Sequence, residues 1–342
     1  MKYGLFRYGL IEREGYWVDD INIGDYIQSI AARQFLPQVD TLIERDSIAD
    51  YQGDRIRVIM NGWWHLYKGN AVPSKQIDPL YVSMHINKPQ DVPPEAIEYL
   101  KQHGPIGCRD YSTTNFLKER GVDAYFSGCM TLTLGKTYAV PPEERTNNIY
   151  YVNFDPNVLV NYVKSKMFGS VGFTPPKVRR RLHSIINMFF PDYAKCRHIY
   201  RDHSVSLPPS EKERFRAKCL RIYRSRSVPL PQSEDDLFRI ADQYLRDYAR
   251  AKLVITTKIH CALPCAGMGT PVILMMTNPQ DPRFGGIKEL LNHMGVDTSG
   301  EIIQHLFMPP GTSGYSLGNS PEIPAIVDAL SEKCRNFVSA PW

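Results

Sequence analysis

The stretch KLVITTKIHCALPCAGMGTPVILMM, residues 252–276, decides the fold because two apolar runs flank a short helical pattern. The first run, KLVITT, is rich in β-branched residues, and PVILMM has the same apolar character after a turn marked by Gly267 and Gly269. Short strands that alternate with helices are typical of α/β folds with parallel sheets. We therefore predict a strand, a helix that starts near His260, and a second strand.

The same alternation continues on both sides of this stretch. A helix capped by Ser233 is predicted before it, and another is predicted after it over IKELLNHMG, residues 287–295. In the first half, strands are predicted at RIRVIM (55–60), YVSMHI (81–86), PIGC (105–108) and IYYVNF (149–154). The whole chain is thus predicted to be α/β with mostly parallel sheets.

Two helices of the first half begin at glycine- or arginine-bearing loops. NIGDYIQ, residues 22–28, opens one of them, where Asp25 and Gln28 resemble a capping box. RDYSTTNFLKERG, residues 109–121, opens the other, with Asp110 or Ser112 as its cap. Arg109 is therefore predicted to lie where a strand ends and a helix begins.

Length and charge bound the organisation of the chain. Its 342 residues exceed one ordinary domain, so we predict two domains, over 1–155 and 156–342. The formal charge of +5 is mild and much of it comes from the basic segment 164–226. The N-terminus lacks the pattern of a signal peptide, no long apolar run occurs, and seven cysteines at irregular spacing fit a reducing compartment. These features predict a soluble cytoplasmic protein.

Strand ends supply the candidate site. In open α/β sheets ligands bind at the carboxyl ends of the strands, where helix N-termini attract anions. Gly24, Arg109 and His260 are predicted at such ends, with Lys258 beside His260, and a cleft between the domains would bring them together around an anion. The structural alternatives are a surface ion pair for Arg109, a buried hydrogen-bonded imidazole for His260, and a turn with a cap at Gly24 and Asp25.

Common site patterns are missing. His260 points roughly 100° away from the helix face that Cys261 and Cys265 share, and no second Cys/His pair completes a zinc site. We therefore predict no metal and interpret both cysteines as core residues. The chain also lacks a G-x-x-x-x-G-K-[ST] phosphate loop and a G-x-G-x-x-G fingerprint.

Three motifs in order carry a family resemblance. NIGDYIQ near the start, GPIGCRDYSTTNFLKERGVDAYFSGCMTLTL (104–134) and ARAKLVITTKIHCALPCAGMGTPVI (249–273) look like the polysaccharide pyruvyl transferase family over roughly residues 20–295. The resemblance implies two Rossmann-like domains facing a cleft, similar to GT-B glycosyltransferases. It also implies transfer of the pyruvyl group of phosphoenolpyruvate onto two hydroxyls of a glycan, giving a ketal and phosphate in cell-surface or exopolysaccharide biosynthesis.

The resemblance also assigns roles to particular residues. It implies that Arg109 and His260 contact phosphoenolpyruvate as catalytic and donor-binding residues, with Lys258 as a further clamp and no cofactor. Many relatives have arginine at the position of Lys258 and an Asp-Pro pair at Gly128-Cys129. Lysine cannot form a bidentate fork, and the second departure leaves the base for the sugar hydroxyl unassigned.

Further residues and partners complete the prediction. The first domain is expected to face the acceptor, and its candidates as acceptor or loop residues are Asn22, Gly24, Asp25 and Asn61. The second domain is expected to face the donor, and its C-terminal helix is expected to pack back onto the first. His203 and Lys288 are secondary site candidates.

The expected acceptor is a glycan or a lipid-linked oligosaccharide. The basic segment 164–226 is a candidate for peripheral contact with the inner face of the membrane, and a solvated or domain-covering helix is its alternative. No nucleic-acid binding motif accompanies the charge. The alternatives for function are a GT-B-like glycosyltransferase that uses a nucleotide sugar and a non-catalytic glycan- or membrane-binding protein.

Overall fold

The computed structural model of the chain contains two parallel sheets, each accompanied by helices. It describes residues 1–8, 12–13, 16–17, 22–66, 70–146, 148–152, 198–199, 233–276, 280–291, 293–295 and 320–341. The strands are β1 (Tyr3–Arg7), β2 (Glu12–Arg13), β3 (Tyr16–Trp17), β4 (Thr41–Glu44), β5 (Ile56–Trp64), β6 (Ile77–Ile86), β7 (Ile106–Cys108), β8 (Ala124–Phe126), β9 (Ile149–Val152), β10 (His198–Ile199), β11 (Leu253–Thr256), β12 (Val272–Met276) and β13 (His293–Gly295). The helices are α1 (Ile23–Arg33), α2 (Pro94–Gln102), α3 (Tyr111–Lys118), α4 (Gly135–Tyr138), α5 (Glu234–Ala249), α6 (Ile259–Gly267) and α7 (Ile323–Ser339).

The first sheet has six parallel strands in the order β4-β1-β5-β6-β7-β8. Its central strand β5 is buried along nearly its whole length, as expected where helices cover both faces of a parallel sheet. The pairing of β5 with β6 shifts between Met60 and Gly62. Gly62 has a φ of +107°, and a Cβ there would lie 3.1 Å from Oε1 of Gln28. Glycine therefore lets this irregular strand end lie against α1.

The second sheet has five parallel strands in the order β10-β9-β11-β12-β13. Helix α5 precedes β11, and α6 connects β11 with β12. The apolar residues of α5 recur at helical spacing and are buried, among them Leu237, Ile240, Ala241 and Tyr248. Residues 252–276 thus form a strand, a helix and a parallel strand, as their pattern predicts.

One apolar core includes residues from the elements around both sheets. On α1, Tyr26 is fully buried, and its ring meets that of Phe238 on α5 edge-on at a centroid distance of 5.1 Å. The hydroxyl of Tyr26 donates a hydrogen bond to Glu234 over 2.6 Å. A Cβ on Gly135 would overlap the carbonyl of Gly267 on α6. Glycine at both positions therefore lets the two backbones come into close contact.

The C-terminal helix α7 lies against the first sheet through a buried arginine. Arg57 on β5 is 4% exposed and donates hydrogen bonds to the carbonyls of Phe337, Ala340 and Pro341 over 2.8, 2.6 and 3.0 Å. Its Nε also pairs with Asp78 over 2.9 Å. The planar guanidinium can serve several acceptors at once, so one side chain connects β5 with the end of α7.

Several predictions about the elements can now be assessed. The mostly parallel α/β fold is confirmed, and so are the caps, because Asp110 accepts from the amide of Thr113 and Ser233 accepts from that of Asp236. The capping box at Asp25 is wrong, since Asn22 caps α1 and accepts from the amide of Gly24.

The helix predicted over 287–295 is also wrong. Residues 285–290 form turns, and His293–Gly295 is a strand that pairs with β12. Ile287, Leu290 and Leu291 have helical spacing, but they are buried within the turns and the bend at Leu291. Gly286 precedes them with a φ of +82°, a conformation outside the right-handed helical region.

Other predictions remain untested. The two domains with a boundary near residue 155 stay a prediction. The basic segment 164–226 lies outside the described residues except for His198–Ile199. Within the described part of the chain, no helix combines the length and the apolar character that crossing a bilayer requires.

Candidate functional site

Two strand ends that are distant in sequence meet at the candidate site. Arg109 follows β7 directly and is 2% exposed. His260 is the second residue of α6, which begins after β11, and its side chain is partly buried. Nη1 of Arg109 lies 3.2 Å from Nε2 of His260. The structure therefore brings together the two residues that the sequence nominated as catalytic.

This contact defines the protonation state of His260. A guanidinium can only donate hydrogen bonds, so Nε2 of His260 must accept, and a neutral ring carries its proton on Nδ1. Burial lowers the pKa of His260 well below its usual value, and the charges of Arg109 and Lys258 lower it further. At neutral pH, the imidazole is therefore uncharged in the protein without ligand.

Gly24 forms the wall of the site on the other side of His260. A Cβ on Gly24 would lie 3.1 Å from both Cβ and Nδ1 of His260 and 3.0 Å from Oδ1 of Asn22. Such contacts are tighter than side chains normally allow, so glycine is required here for close packing rather than for an unusual backbone angle. The motifs around Asn22, Arg109 and His260 thus converge on one imidazole.

Asp25, the next residue of α1, and Asn61 on β5 are both hydrogen-bonded to Gln28. The side-chain amide of Gln28 donates to Asp25 over 2.9 Å, and Arg45 approaches the same carboxylate to 3.7 Å. Asn61 is 1% exposed and donates to the carbonyl of Gln28 over 2.9 Å. Gln28 thus connects both candidates, one helical turn after Gly24.

Arg45 is a buried cation that sequence reasoning missed. Its guanidinium lies between the rings of Tyr8 and Trp63, at centroid distances of 4.8 and 5.2 Å. Burial alone would lower its pKa, but Asp25 and Asp46 more than compensate and raise it. Arg45 therefore stays charged beside the candidate acceptor residues.

Lys258 provides a second cation at the start of α6. It occupies the N-cap position, and its side chain forms no capping hydrogen bond, in contrast to the N-cap side chains of α1, α3 and α5. Its charge is one cause of the lowered pKa of His260, which places the ammonium near the imidazole. A helix N-terminus with adjacent cations is an environment that attracts phosphate and carboxylate groups.

The segment 280–291 lies beside α3 and contains Lys288. The carbonyl of Gly285 accepts from the amide of Tyr111 over 3.1 Å, and Lys288 is partly buried, with its amide bonded to the carbonyl of Phe284. Arg283 in the same segment contributes to the lowered pKa of His85. His203, the other secondary candidate, lies outside the described residues.

His85 and Asp110 belong to the site although neither was nominated for it. Nδ1 of His85 lies 2.6 Å from Oδ2 of Asp110, and both residues are buried. Oδ2 of Asp110 is also 3.7 Å from Nε of Arg109. His85 is the next-to-last residue of β6, so its position at the carboxyl end of a buried strand was the signal that could have identified it.

The protonation states of this pair follow from its surroundings. Burial raises the pKa of Asp110, but the hydrogen bond from His85, the charge of Arg109 and the hydrogen bond from the backbone of Thr113 oppose it, and the net pKa is lowered. Burial and Arg109 lower the pKa of His85 despite the opposing effect of Asp110. We infer a carboxylate that accepts from the Nδ1–H group of a neutral imidazole.

The cysteines of α6 are core residues. Cys261 and Cys265 are 3% and 0% exposed, and burial raises the pKa of Cys265 well above its usual value. Among the residues that the structure describes, no three His, Cys, Asp or Glu side chains are arranged to hold a metal ion.

One comparison with known proteins identifies a family for this chain. A family model described as polysaccharide pyruvyl transferase matches residues 22–279, a range that begins at Asn22 and includes Arg109 and His260. A search of curated proteins gave no match. Among solved structures, one of UDP-N-acetylglucosamine 2-epimerase aligns with a TM-score of 0.39 and 11% identity, covering 96% of this chain and 78% of that one.

Proposed function

The chain belongs to the polysaccharide pyruvyl transferase family, and we propose on that premise that it transfers the pyruvyl group of phosphoenolpyruvate to a glycan. The product is a ketal on two sugar hydroxyls, and phosphate is released. The observation that supports this proposal is the contact of Arg109 with His260 beside Lys258. Phosphoenolpyruvate carries a phosphate and a carboxylate, and these groups match a site with two cations and a helix N-terminus.

His260 becomes a proton donor when the anionic phosphoenolpyruvate binds. The neighbouring cations hold its pKa low in the protein without ligand. A phosphate dianion nearby offsets them and favours the imidazolium. The imidazolium then protonates the methylene carbon of phosphoenolpyruvate, and the adjacent carbon accepts the first sugar hydroxyl. Donor binding therefore prepares the acid for the first step.

The proton balance closes without a further reagent. The first hydroxyl forms a C–O bond and loses its proton, which replaces the one given by His260. The C–O bond to phosphate then breaks, and the second hydroxyl adds to the same carbon. The proton of this second hydroxyl is taken up by the phosphate, which leaves as hydrogen phosphate. Arg109 and Lys258 stabilise the charge on the leaving group, so the proposed reaction needs neither a metal nor a cofactor.

The acceptor side of the proposal rests on the first sheet. We assign Asn22, Gly24, Asp25 and Asn61 to the acceptor side of the cleft between the two proposed GT-B-like domains. The acceptor is a glycan or lipid-linked oligosaccharide of cell-surface polysaccharide biosynthesis, modified in the cytoplasm at the inner face of the membrane. Liposome binding that is lost when Arg179, Arg180 and Arg181 become Ala would support the membrane contact.

Calorimetric titration of phosphoenolpyruvate tests the donor. Wild type should bind it in the presence of a chelator, and His260→Ala should bind it more weakly with an unchanged melting temperature. His103→Ala is the matched control, because His103 follows α2 and lies before the amino-terminal end of β7, whereas Arg109 follows the carboxyl end of that strand. Binding of uridine diphosphate in place of phosphoenolpyruvate would instead favour glycosyl transfer. Glycan binding without phosphate release would indicate a non-catalytic protein.

A further inference from the structure

The carboxylate of Asp110 has both of its oxygens occupied. Oδ1 accepts from the amide of Thr113 over 2.9 Å and thereby caps α3. Oδ2 is 2.6 Å from Nδ1 of His85, and Thr113 Oγ1 lies 3.4 Å from the same nitrogen. Asp110 is fully buried, so these protein groups replace the water that would otherwise solvate the charge.

Arg109 lies next to this carboxylate without forming a hydrogen bond to it. Its Nε is 3.7 Å from Oδ2 of Asp110 and, although buried, has no hydrogen-bond partner among the residues that the structure describes. Its Nη1 is directed to His260 instead. An arginine beside a buried carboxylate normally forms a two-pronged pair with it, so the absence of that pair needs a physical reason.

We propose that His85 is a positioning residue that holds Asp110 back from Arg109, so that the guanidinium keeps its hydrogen bonds for the anionic donor. This inference rests on the proposed function, because the donor is the phosphoenolpyruvate of that reaction. Without the Nδ1–H group of His85, Oδ2 of Asp110 would lose its closest donor. Among the described residues, Arg109 is the cation beside this carboxylate, and rotation of the carboxylate toward Nε would pair the two charges and weaken donor binding.

Histidine suits this role because its N–H group lies close to the backbone and its neutral ring carries no charge. A neutral imidazole offers an N–H group close to its Cβ and adds no charge to a cluster that already holds Arg109 and Lys258. Asparagine places an amide N–H group at nearly the same distance from the backbone, whereas leucine fills a similar volume without any donor. These two substitutions therefore separate the hydrogen bond from packing.

The experiment compares four proteins by calorimetric titration of phosphoenolpyruvate. These are wild type, His85→Leu, His85→Asn, and the double variant His85→Leu with Asp110→Asn. We expect the dissociation constant of His85→Leu to rise about tenfold or more, as for the loss of a charge-assisted hydrogen bond, and that of His85→Asn to stay near wild type. The double variant should recover affinity, because the asparagine introduced by Asp110→Asn would still cap α3 but could not neutralise Arg109.

A second measurement needs no donor at all. The titration of His260 can be followed by NMR in ¹⁵N-histidine-labelled protein without ligand. If Asp110 pairs with Arg109 in His85→Leu, less positive potential acts on His260, and its pKa should be higher than in His85→Asn. Both variants carry an uncharged side chain at position 85, so the comparison isolates the position of the carboxylate. Melting temperatures of all four proteins control for folding.

The outcomes separate this inference from the proposed function. Equal phosphoenolpyruvate affinity in His85→Leu and wild type, or a double variant that binds no better than His85→Leu, would overturn the positioning role and leave the proposed function intact. A wild type that binds no phosphoenolpyruvate would contradict the proposed function. The NMR comparison would then decide alone, and an identical His260 pKa in the two single variants would refute the inference.

Discussion

The guanidinium of Arg109 donates a hydrogen bond to Nε2 of His260 over 3.2 Å, although 151 positions separate the two residues. The contact joins the end of β7 in the first sheet to the start of α6 beside the second. It also fixes the tautomer of the imidazole, because arginine has no acceptor. His260 can therefore act as an acid only if a bound anion offsets the positive charges around it.

Donor binding should be accompanied by proton uptake. The lowered pKa of His260 keeps it neutral near pH 7, and a bound phosphate dianion should raise that pKa and load the proton. Calorimetric titrations of phosphoenolpyruvate at pH 7 in buffers of different ionisation enthalpy should give apparent enthalpies that rise linearly with the buffer value. The slope should approach one proton in wild type and fall toward zero in His260→Gln. Equal slopes in the two proteins would argue against His260 as the proton carrier.

Gly24→Ala should reduce turnover with little change in stability. The new Cβ would lie 3.1 Å from the His260 ring, and this crowding destabilises, while the preference of helices for alanine over glycine offsets it by up to about 1 kcal/mol. We expect phosphate release to slow by about tenfold, as for a small misplacement of a catalytic group, with a melting temperature near that of wild type.

Gly121→Ala is the matched control for Gly24→Ala. Gly121 has a φ of +75°, and a Cβ there would make only an ordinary contact, 3.7 Å from Cε of Lys101, so alanine should lower stability by about 1 kcal/mol and leave turnover unchanged. If Gly24→Ala behaved like this control, the tight contact with His260 would have no functional meaning.

The sequence predicted the site residues at strand ends because that inference needs only local patterns. Apolar runs located the strands that precede Arg109 and His260, and parallel strands direct their carboxyl ends to one edge. The contact of His85 with Asp110 was not accessible in this way. It depends on the pairing of Met84 in β6 with Cys108 in β7, and the choice of neighbouring strands is a property of the tertiary fold.

The mistaken helix over 287–295 shows a second limit. The spacing of Ile287, Leu290 and Leu291 satisfies a helical pattern, but all three are buried in a segment of turns that ends in a bend at Leu291. A Cβ on Gly286 would press on the ring of Phe126, and this close approach of segment 280–291 to β8 is invisible in a single sequence. Apolar periodicity indicates which residues are buried, whereas the backbone conformation of this segment depends on long-range contacts.

Stability should fall as the pH drops from 6.5 toward 5. His85 and His260 both have pKa values below the ordinary value of 6.5 in the folded protein, so the unfolded chain binds protons that the folded chain does not. Unfolding free energies from urea titrations should therefore decrease over this range. Asp110 has a lowered pKa, and its contribution is lost only at more acidic pH, around and below 3.8.

His260→Gln should flatten this pH dependence. Removing one of the two histidines removes its share of the protons that unfolding takes up, so the slope between pH 6.5 and 5 should decrease. His103→Gln is the control, because His103 follows α2 and lies before the amino-terminal end of β7, away from the strand ends where the cations surround His260. A slope that is the same in wild type and His260→Gln would show that His260 titrates alike in the folded and unfolded chains.

Arg57→Met should destabilise the protein by about 2–4 kcal/mol, because it leaves buried carbonyls of the C-terminal segment without their charged donor. Urea unfolding measures the change. Arg239→Met is the control, since Arg239 pairs with Asp236 on the exposed face of α5, where an ion pair contributes less than about 1 kcal/mol. Similar losses in the two variants would contradict the role of Arg57 as the anchor of α7.

Lys258→Arg should preserve or strengthen donor binding. Lysine offers a point charge, whereas the planar guanidinium of arginine can grip a phosphate or carboxylate with two parallel hydrogen bonds. Titration of phosphoenolpyruvate should give a dissociation constant equal to or below that of wild type in Lys258→Arg. In Lys258→Met, which keeps most of the unbranched side chain and removes the charge, the constant should rise about tenfold or more. If Lys258→Met bound the donor as tightly as wild type, the ammonium would have no part in the site, and Arg109 with the α6 N-terminus would remain as the proposed anion-binding groups.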